Sequence, residues 1–290
     1  MLANAGAVSA AIAARLETEA EELSAAFDSA EPGAVRYCWI DNLLPDDIMF
    51  AAFSLLPALA SMMRLKNLKE RKFVTAELDV LAEPIRQLVM ALNSRAVADV
   101  VARIIGVPCL ETDPKLYNSG ITAMVPGDFM CPHLDNSHDY DRTRRRVVAL
   151  LYYLSPYWQS DYGGSLELWG DNRRTPPQAV DFRGNRLVIM ETTDQSWHSV
   201  QPVLGPMPRI NAISYFYAPS TEQRPLRLTR FAPWPHHRVQ ELLFSAEFHL
   251  RSLAARLAGR RLRFNRHLYT GRARPAAAAE RQDVPAPEQP

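Results

Sequence analysis

Val147-Val-Ala-Leu-Leu-Tyr-Tyr-Leu154 is a short run of Val, Leu and Tyr, which reads as a strand. Runs of similar texture follow at Ser165–Trp169, Arg186–Glu191, Trp197–Val203 and Ile210–Tyr217, separated by Pro, Gly, Asn and Asp. Many short strands at roughly 10- to 20-residue spacing predict a sandwich or barrel over residues 109–220. Upstream the pattern is helical. Val8, Ile12, Leu16, Leu23 and Phe27 share one helical face, and Glu31-Pro32-Gly33 ends that helix. A strand-like Val35–Ile40 follows, then a second helix opens at Pro45-Asp46-Asp47 and runs to about Met63. A third runs along the stripe from Ile85 to Ile104 and stops at Gly106-Val107-Pro108. Residues 1–108 therefore read as an N-terminal helical support region with a first short strand. Beyond the barrel, Val239–Leu257 is predicted helical within a basic extension, 221–270, and the Ala- and Pro-rich residues 271–290 are predicted to form a disordered tail.

With 290 residues, 47% of them apolar, one sizeable core is expected, and a net charge of +1 gives no electrostatic footprint for nucleic acid or membrane. The ends differ in sign. Residues 1–31 hold six acids against Arg15, and residues 224–274 hold twelve arginines against Glu241 and Glu247. The C-terminal helix is expected to pack its apolar face on the barrel and to turn its arginines outward, either solvated or toward an acidic partner. Cys38, Cys109 and Cys131 lack CxxC spacing, which argues against a disulfide framework and a thiolate metal site. Without a basic leader or a long apolar run, the expectation is a soluble cytoplasmic protein, with a dimer left open.

In Pro132-His133-Leu134-Asp135-Asn136, His133 and Asp135 stand two residues apart, so on a strand they project from one face and can share a metal. Sixty-three residues after Asp135, His198 lies in a second strand-like run. Two imidazoles and a carboxylate on one face of iron leave three positions for 2-oxoglutarate and O2, although zinc shares these ligand types. Arg209 opens the last strand eleven residues after His198, and its planar fork suits a carboxylate. Asn211 projects to the same side and could add a donor.

Several blocks recur in the order of a known family. The run from Arg146 to Trp158, Tyr162-Gly-Gly-Ser-Leu-Glu-Leu-Trp169, Gly184-Asn-Arg-Leu-Val-Ile-Met190, Trp197-His-Ser-Val-Gln-Pro-Val203 and Trp39-Ile-Asp-Asn-Leu-Leu-Pro45 together resemble the prolyl 4-hydroxylase-like branch of the Fe(II)/2-oxoglutarate-dependent dioxygenases, over roughly residues 35–218. The resemblance implies an α+β fold with a mainly β core, a double-stranded β-helix (jelly-roll, cupin-like) barrel with N- and C-terminal helices packed on it. It implies Fe(II), 2-oxoglutarate as co-substrate and O2, with ascorbate as reductant, and decarboxylation of 2-oxoglutarate to succinate and CO2 as substrate is oxidised. Met124 stands where the family commonly carries a tyrosine, so Tyr117 or Tyr215 would supply that hydroxyl. The family's peptide hydroxylases often use lysine at the position of Arg209, and Asp135 separates the chain from the halogenases. The expected reaction is hydroxylation of a small metabolite or natural-product intermediate, anionic or carrier-bound. The alternatives are a peptidyl hydroxylase and a non-catalytic barrel that binds metal or a 2-oxo acid. His138 reads as part of an exposed polar loop, and the arginines Arg142, Arg144, Arg145 and Arg146 that follow read either as a solvated loop or as a run that meets an anionic substrate beside the His-Asp strand. Trp158, Tyr162 and Trp169 could line the mouth of the site, and His236 and His237 receive no metal role.

Overall fold

The structure, a computed structural model, describes residues 4–75, 77–170, 173–219, 227–235 and 238–258. Helices α1 (Ala5–Thr18) and α2 (Ala20–Asp28) precede strand β1 (Tyr37–Ile40), α3 (Asp46–Ser54), β2 (Met63–Lys66), β3 (Arg71–Val74), α4 (Glu83–Leu92) and α5 (Arg95–Ile104). The strands β4 (Gly120–Met124), β5 (Met130–Leu134), β6 (Arg144–Tyr153), β7 (Leu166–Trp169), β8 (Gln178–Val180), β9 (Leu187–Glu191), β10 (Trp197–Val200), β11 (Arg209–Pro219) and β12 (Arg230–Phe231) follow, and α6 (Arg238–Ala258) is the last described element. Two antiparallel sheets result: a seven-stranded one in the order β1-β9-β6-β11-β4-β3-β2, and a five-stranded one in the order β12-β5-β10-β7-β8.

Period-two alternation explains the absence of a polar face in the central run. On β6, Val148, Leu150 and Tyr152 join one apolar cluster with residues of α1, α2, α4 and α5, while Ala149 and Tyr153 join another with Leu166, Leu168 and Val180 of the smaller sheet. Leu187 and Ile189 of β9 likewise face the helices, and Val188 and Met190 face the opposing sheet. The sheets thus pack face to face as a double-stranded β-helix, with helices closing the outer side of the larger one. Strands β1, β2 and β3 complete that sheet, so the first hundred residues share its core.

The helices break more often than their periodicity suggests. The third is two, because Ser94 caps α5 by accepting from the Val97 N–H at 3.3 Å. The buried Asn93 side chain beside it donates to Ser214 Oγ and the Tyr215 carbonyl. The first divides at Glu19. Helix α3 ends at Ser54, well short of Met63, since Pro57 cannot continue it. Residues expected to prolong it instead form a loop with one tight turn at Leu59–Ser61, which leads into the β2–β3 hairpin, whose own turn is held by Asn67 Oδ1 accepting from the N–H groups of Lys69 and Glu70. The tail expected at 271–290, the ends of the basic extension at 221–226 and 259–270, and His236 and His237 lie outside the described residues.

Candidate functional site

Strands β5 and β10 are adjacent, and their register sets His133 directly opposite His198. The imidazole centroids are 4.0 Å apart, and His133 Nε2 is 3.8 Å from Asp135 Oδ1. One candidate ligand atom from each of His133, Asp135 and His198 lies within 4.8 Å of the others. Each histidine places Nδ1 3.0 Å from the carbonyl two residues before it, Cys131 for His133 and Ser196 for His198. A neutral ring that donates there keeps Nε2 as a free lone pair for a metal. Burial lowers the pKa of both rings below the ordinary histidine value, so both are neutral at pH 7. Burial works to raise the pKa of Asp135, but Arg146 and the two imidazoles outweigh it and hold the carboxyl at about 2. Arg146 Nη1 is 3.3 Å from Asp135 Oδ2, so it engages the oxygen that does not face His133.

The same cavity, about 220 Å³, is also lined by Arg209, Asn211, Met124 and Tyr215. Arg209 is buried at the start of β11, where Nε donates to the Gly164 carbonyl at 2.7 Å and Nη1 to Asn211 Oδ1 at 3.0 Å. Its guanidinium lies over the rings of Tyr153 and Phe182. Among the described residues it forms no ion pair. Burial pulls its pKa down from the ordinary arginine value, yet a guanidinium stays protonated in proteins. The Tyr153 hydroxyl, also buried, meets the geometry of a hydrogen bond with none of the described residues, and its nearest charge is Arg209. Gly164, at φ +69°, lets the chain approach this cation: a Cβ there would lie 2.9 Å from Arg209 Cδ.

Residues 119–217 match the 2OG-Fe(II) oxygenase superfamily, a stretch that contains the His-Asp pair, the second histidine and Arg209. The chain is 36% identical over 101 residues to prolyl 3-hydroxylase OGFOD1 of Mus musculus, covering 33% of this chain and 18% of the relative. The Xenopus laevis protein of that name is 36% identical over 93 residues, covering 30% and 18%. The chain thus spans less than a fifth of the curated relatives it matches. Among solved structures, a Pseudomonas putida prolyl-4-hydroxylase aligns with TM-score 0.49 and 19% identity, covering 67% of this chain and 98% of that one. A Trichoplax adhaerens prolyl hydroxylase, in complex with a hypoxia inducible factor oxygen degradation domain peptide fragment, aligns with TM-score 0.48 and 18% identity, covering 70% and 90%.

Within the barrel, other expected residues fall elsewhere. Tyr117 is buried in a ring cluster with His138 and Tyr140 and is absent from the cavity wall, because its backbone N–H is fixed to Asp113 Oδ2. Tyr215 lines the cavity, but the Arg146 guanidinium lies 3.5 Å above its ring. The hydroxyl beside Arg209 belongs to Tyr153, which reads in sequence as one more apolar ring of β6. Asn211 accepts from both Arg209 and Thr122 Oγ1 through Oδ1, which leaves its amide nitrogen as a donor. His138 is buried, contrary to the exposed loop expected, and Arg146 is a fully buried strand residue pointing inward. Trp158 packs with Tyr162 and Phe182, and Trp169 with Trp197; none of Trp158, Tyr162 and Trp169 lines the cavity. Among the described residues, no helix is long and apolar enough to cross a membrane.

Proposed function

We propose that this chain is an Fe(II)- and 2-oxoglutarate-dependent oxygenase that hydroxylates a prolyl residue in a peptide or protein. The observation that carries the reading is Arg209, a buried cation without an acid partner among the described residues, in one cavity with His133, Asp135 and His198. An unpaired buried charge is costly, and a dicarboxylate chelating a metal at one end and meeting Arg209 at the other relieves that cost. The residues fit both groups. The Nε2 atoms of His133 and His198 and Oδ1 of Asp135 would hold the ion, and Arg146 would keep Asp135 Oδ2 engaged so that the carboxylate binds through one oxygen. Arg209 and the Asn211 amide would hold the distal carboxylate, with the Tyr153 ring packed beneath the guanidinium. Bound iron would supply the activation of O2, with 2-oxoglutarate leaving as succinate and CO2 and one oxygen atom entering the substrate C–H bond.

The substrate class departs from the small metabolite expected on the strength of Arg209. The curated relatives are named as prolyl hydroxylases. In addition β2, paired only with β3, is an edge strand whose Leu65 and turn residue Asn67 line the cavity, so extended backbone has an edge to pair with. The test has two arms. In anaerobic calorimetry of 2-oxoglutarate into Mn(II)-loaded protein, Arg209→Ala should weaken binding by about 2–5 kcal/mol and Arg209→Lys should recover part of it. Wild-type affinity in Arg209→Ala would overturn the co-substrate site. Proline-containing peptides should then gain one oxygen by mass spectrometry in step with succinate; oxidation of small acids or amines alone would return the small-molecule reading.

A further inference from the structure

The basic C-terminal helix was expected to lay its leucines on the barrel, and it does the reverse. On α6, Phe244 and Ala255 are buried and Arg251 is half-buried toward the barrel, Phe244 sharing a cluster with Cys131 and Phe231. Lys69 reaches Glu247 Oε1 at 2.9 Å, tying the helix to the β2–β3 turn. The opposite face is the apolar one. Leu242, Leu243, Leu250, Leu253 and Leu257 are 77%, 61%, 69%, 53% and 81% exposed. Inward packing is decided by the two aromatic and small residues that fit β12 and β5, which leaves the leucine stripe facing away.

We propose that this leucine face of α6 is the interface of a homodimer, with a second copy of this chain as its occupant. Leu243, Leu250 and Leu257 are seven residues apart, and Leu253 and the exposed Ala246 fall between them at three- and four-residue steps. That is the a/d spacing of a helix made to meet another helix along a narrow seam. A seam of one repeated side chain is self-complementary, so a two-fold axis satisfies both copies with the same residues. Five largely exposed leucines offer on the order of 500 Å² of apolar surface per copy. Pairing removes on the order of 1,000 Å² in total, about the threshold for a specific interface. A seam of this length is marginal between free peptides, since each helix must first be ordered. Here Phe244 and Ala255 already hold α6 on the barrel, so that ordering cost falls within each protomer's own fold. Charge argues against a lipid occupant: α6 carries three arginines against two glutamates, and Glu241 sits exposed beside Leu242, whereas interfacial helices are dense in Lys and Arg.

The test is sedimentation velocity and light scattering on the full chain from micromolar to hundreds of micromolar, comparing wild type with Leu250→Asp and the milder Leu250→Ala. The expected result is a concentration-dependent dimer for wild type, with the dissociation constant raised about a hundredfold or more in Leu250→Asp and less in Leu250→Ala. Far-UV circular dichroism and anaerobic 2-oxoglutarate affinity should be unchanged, which separates failure of the interface from failure of the oxygenase reading. A wild-type monomer at every concentration would overturn the proposal, as would a dimer that both variants leave intact. Sedimentation of wild type with anionic phospholipid vesicles, but not with itself, would assign the face to lipid and overturn it equally.

Discussion

The seven-stranded sheet hides its outer face under α1, α2, α4 and α5 in one large apolar cluster, whereas the five-stranded sheet is backed by small clusters around Trp169, Trp197 and Phe244. Between those small clusters runs a polar network in which Glu167 accepts from Ser199 Oγ at 2.5 Å, Gln201 Nε2 at 3.1 Å and Trp234 Nε1 at 3.3 Å. Site residues divide along the same line. The smaller sheet supplies His133 and His198 and leads directly into Asp135, and the larger one supplies Arg146, Arg209 and Asn211. The candidate metal ligands therefore belong to the thinly backed sheet and the cationic end of the cavity to the thickly backed one. Packing energy and metal affinity should consequently respond to different substitutions.

The largest expected effect tests the metal side. His198→Ala removes one of three ligand atoms, so Mn(II) affinity measured by electron paramagnetic resonance should fall by well over the ~100-fold that loss of an outer-shell partner costs. Retained affinity would dissolve the division. Next is the core behind the larger sheet: Leu88→Ala in α4, at a fully buried position, should lower unfolding free energy by about 2–5 kcal/mol in urea. The folded variant should keep wild-type Mn(II) and 2-oxoglutarate affinities; a change in either would couple the helical layer to the site. Gly164→Ala is narrower, forcing a Cβ onto Arg209 from a left-handed backbone conformation. It should cost roughly 1–3 kcal/mol in 2-oxoglutarate affinity with Mn(II) binding untouched.

The smallest effect is pH dependence at His138. Burial lowers its pKa from the ordinary 6.5 to about 4, the nearby Asp139 carbonyl only partly opposing the shift. Between those values the unfolded chain binds the extra proton, so this group's contribution favours folding above pH 6.5 and is lost as pH falls toward 4. Urea midpoints of wild type should therefore drop more steeply across that window than those of His138→Gln. Parallel slopes would remove His138 from the account.

The two sheets also differed in how far they could be read beforehand. The convergence of His133, Asp135 and His198 was legible because period two is a property of the chain, and the entry of Arg209 into the same cavity was legible from its place after that histidine. Tyr153 was not, since a strand buried on both faces has no alternation to mark which ring meets a cation. The β2–β3 hairpin escaped because half of Met63–Lys66 and Arg71–Val74 is Lys or Arg, residues without strand preference, and only Asn67 signalled a turn. Arg146 looked like one of a solvated basic run; its burial depends on where β6 begins, a single residue of register that composition does not encode.

The pairing of β1 with β9 has a consequence for synthesis. Tyr37 meets Met190 and Ile40 meets Leu187, so the first strand of the larger sheet waits for a partner made roughly 150 residues later. At ribosomal rates of about 5–20 residues per second, that wait lasts on the order of 10–30 s. During it, the apolar residues of α1, and then those of α4 and α5 once they are made, stand without the strands that will cover them. A nascent chain in this condition is a client for a holding chaperone, and its yield in a cell should depend on translation speed across residues 40–190 more than on the stability of the finished barrel.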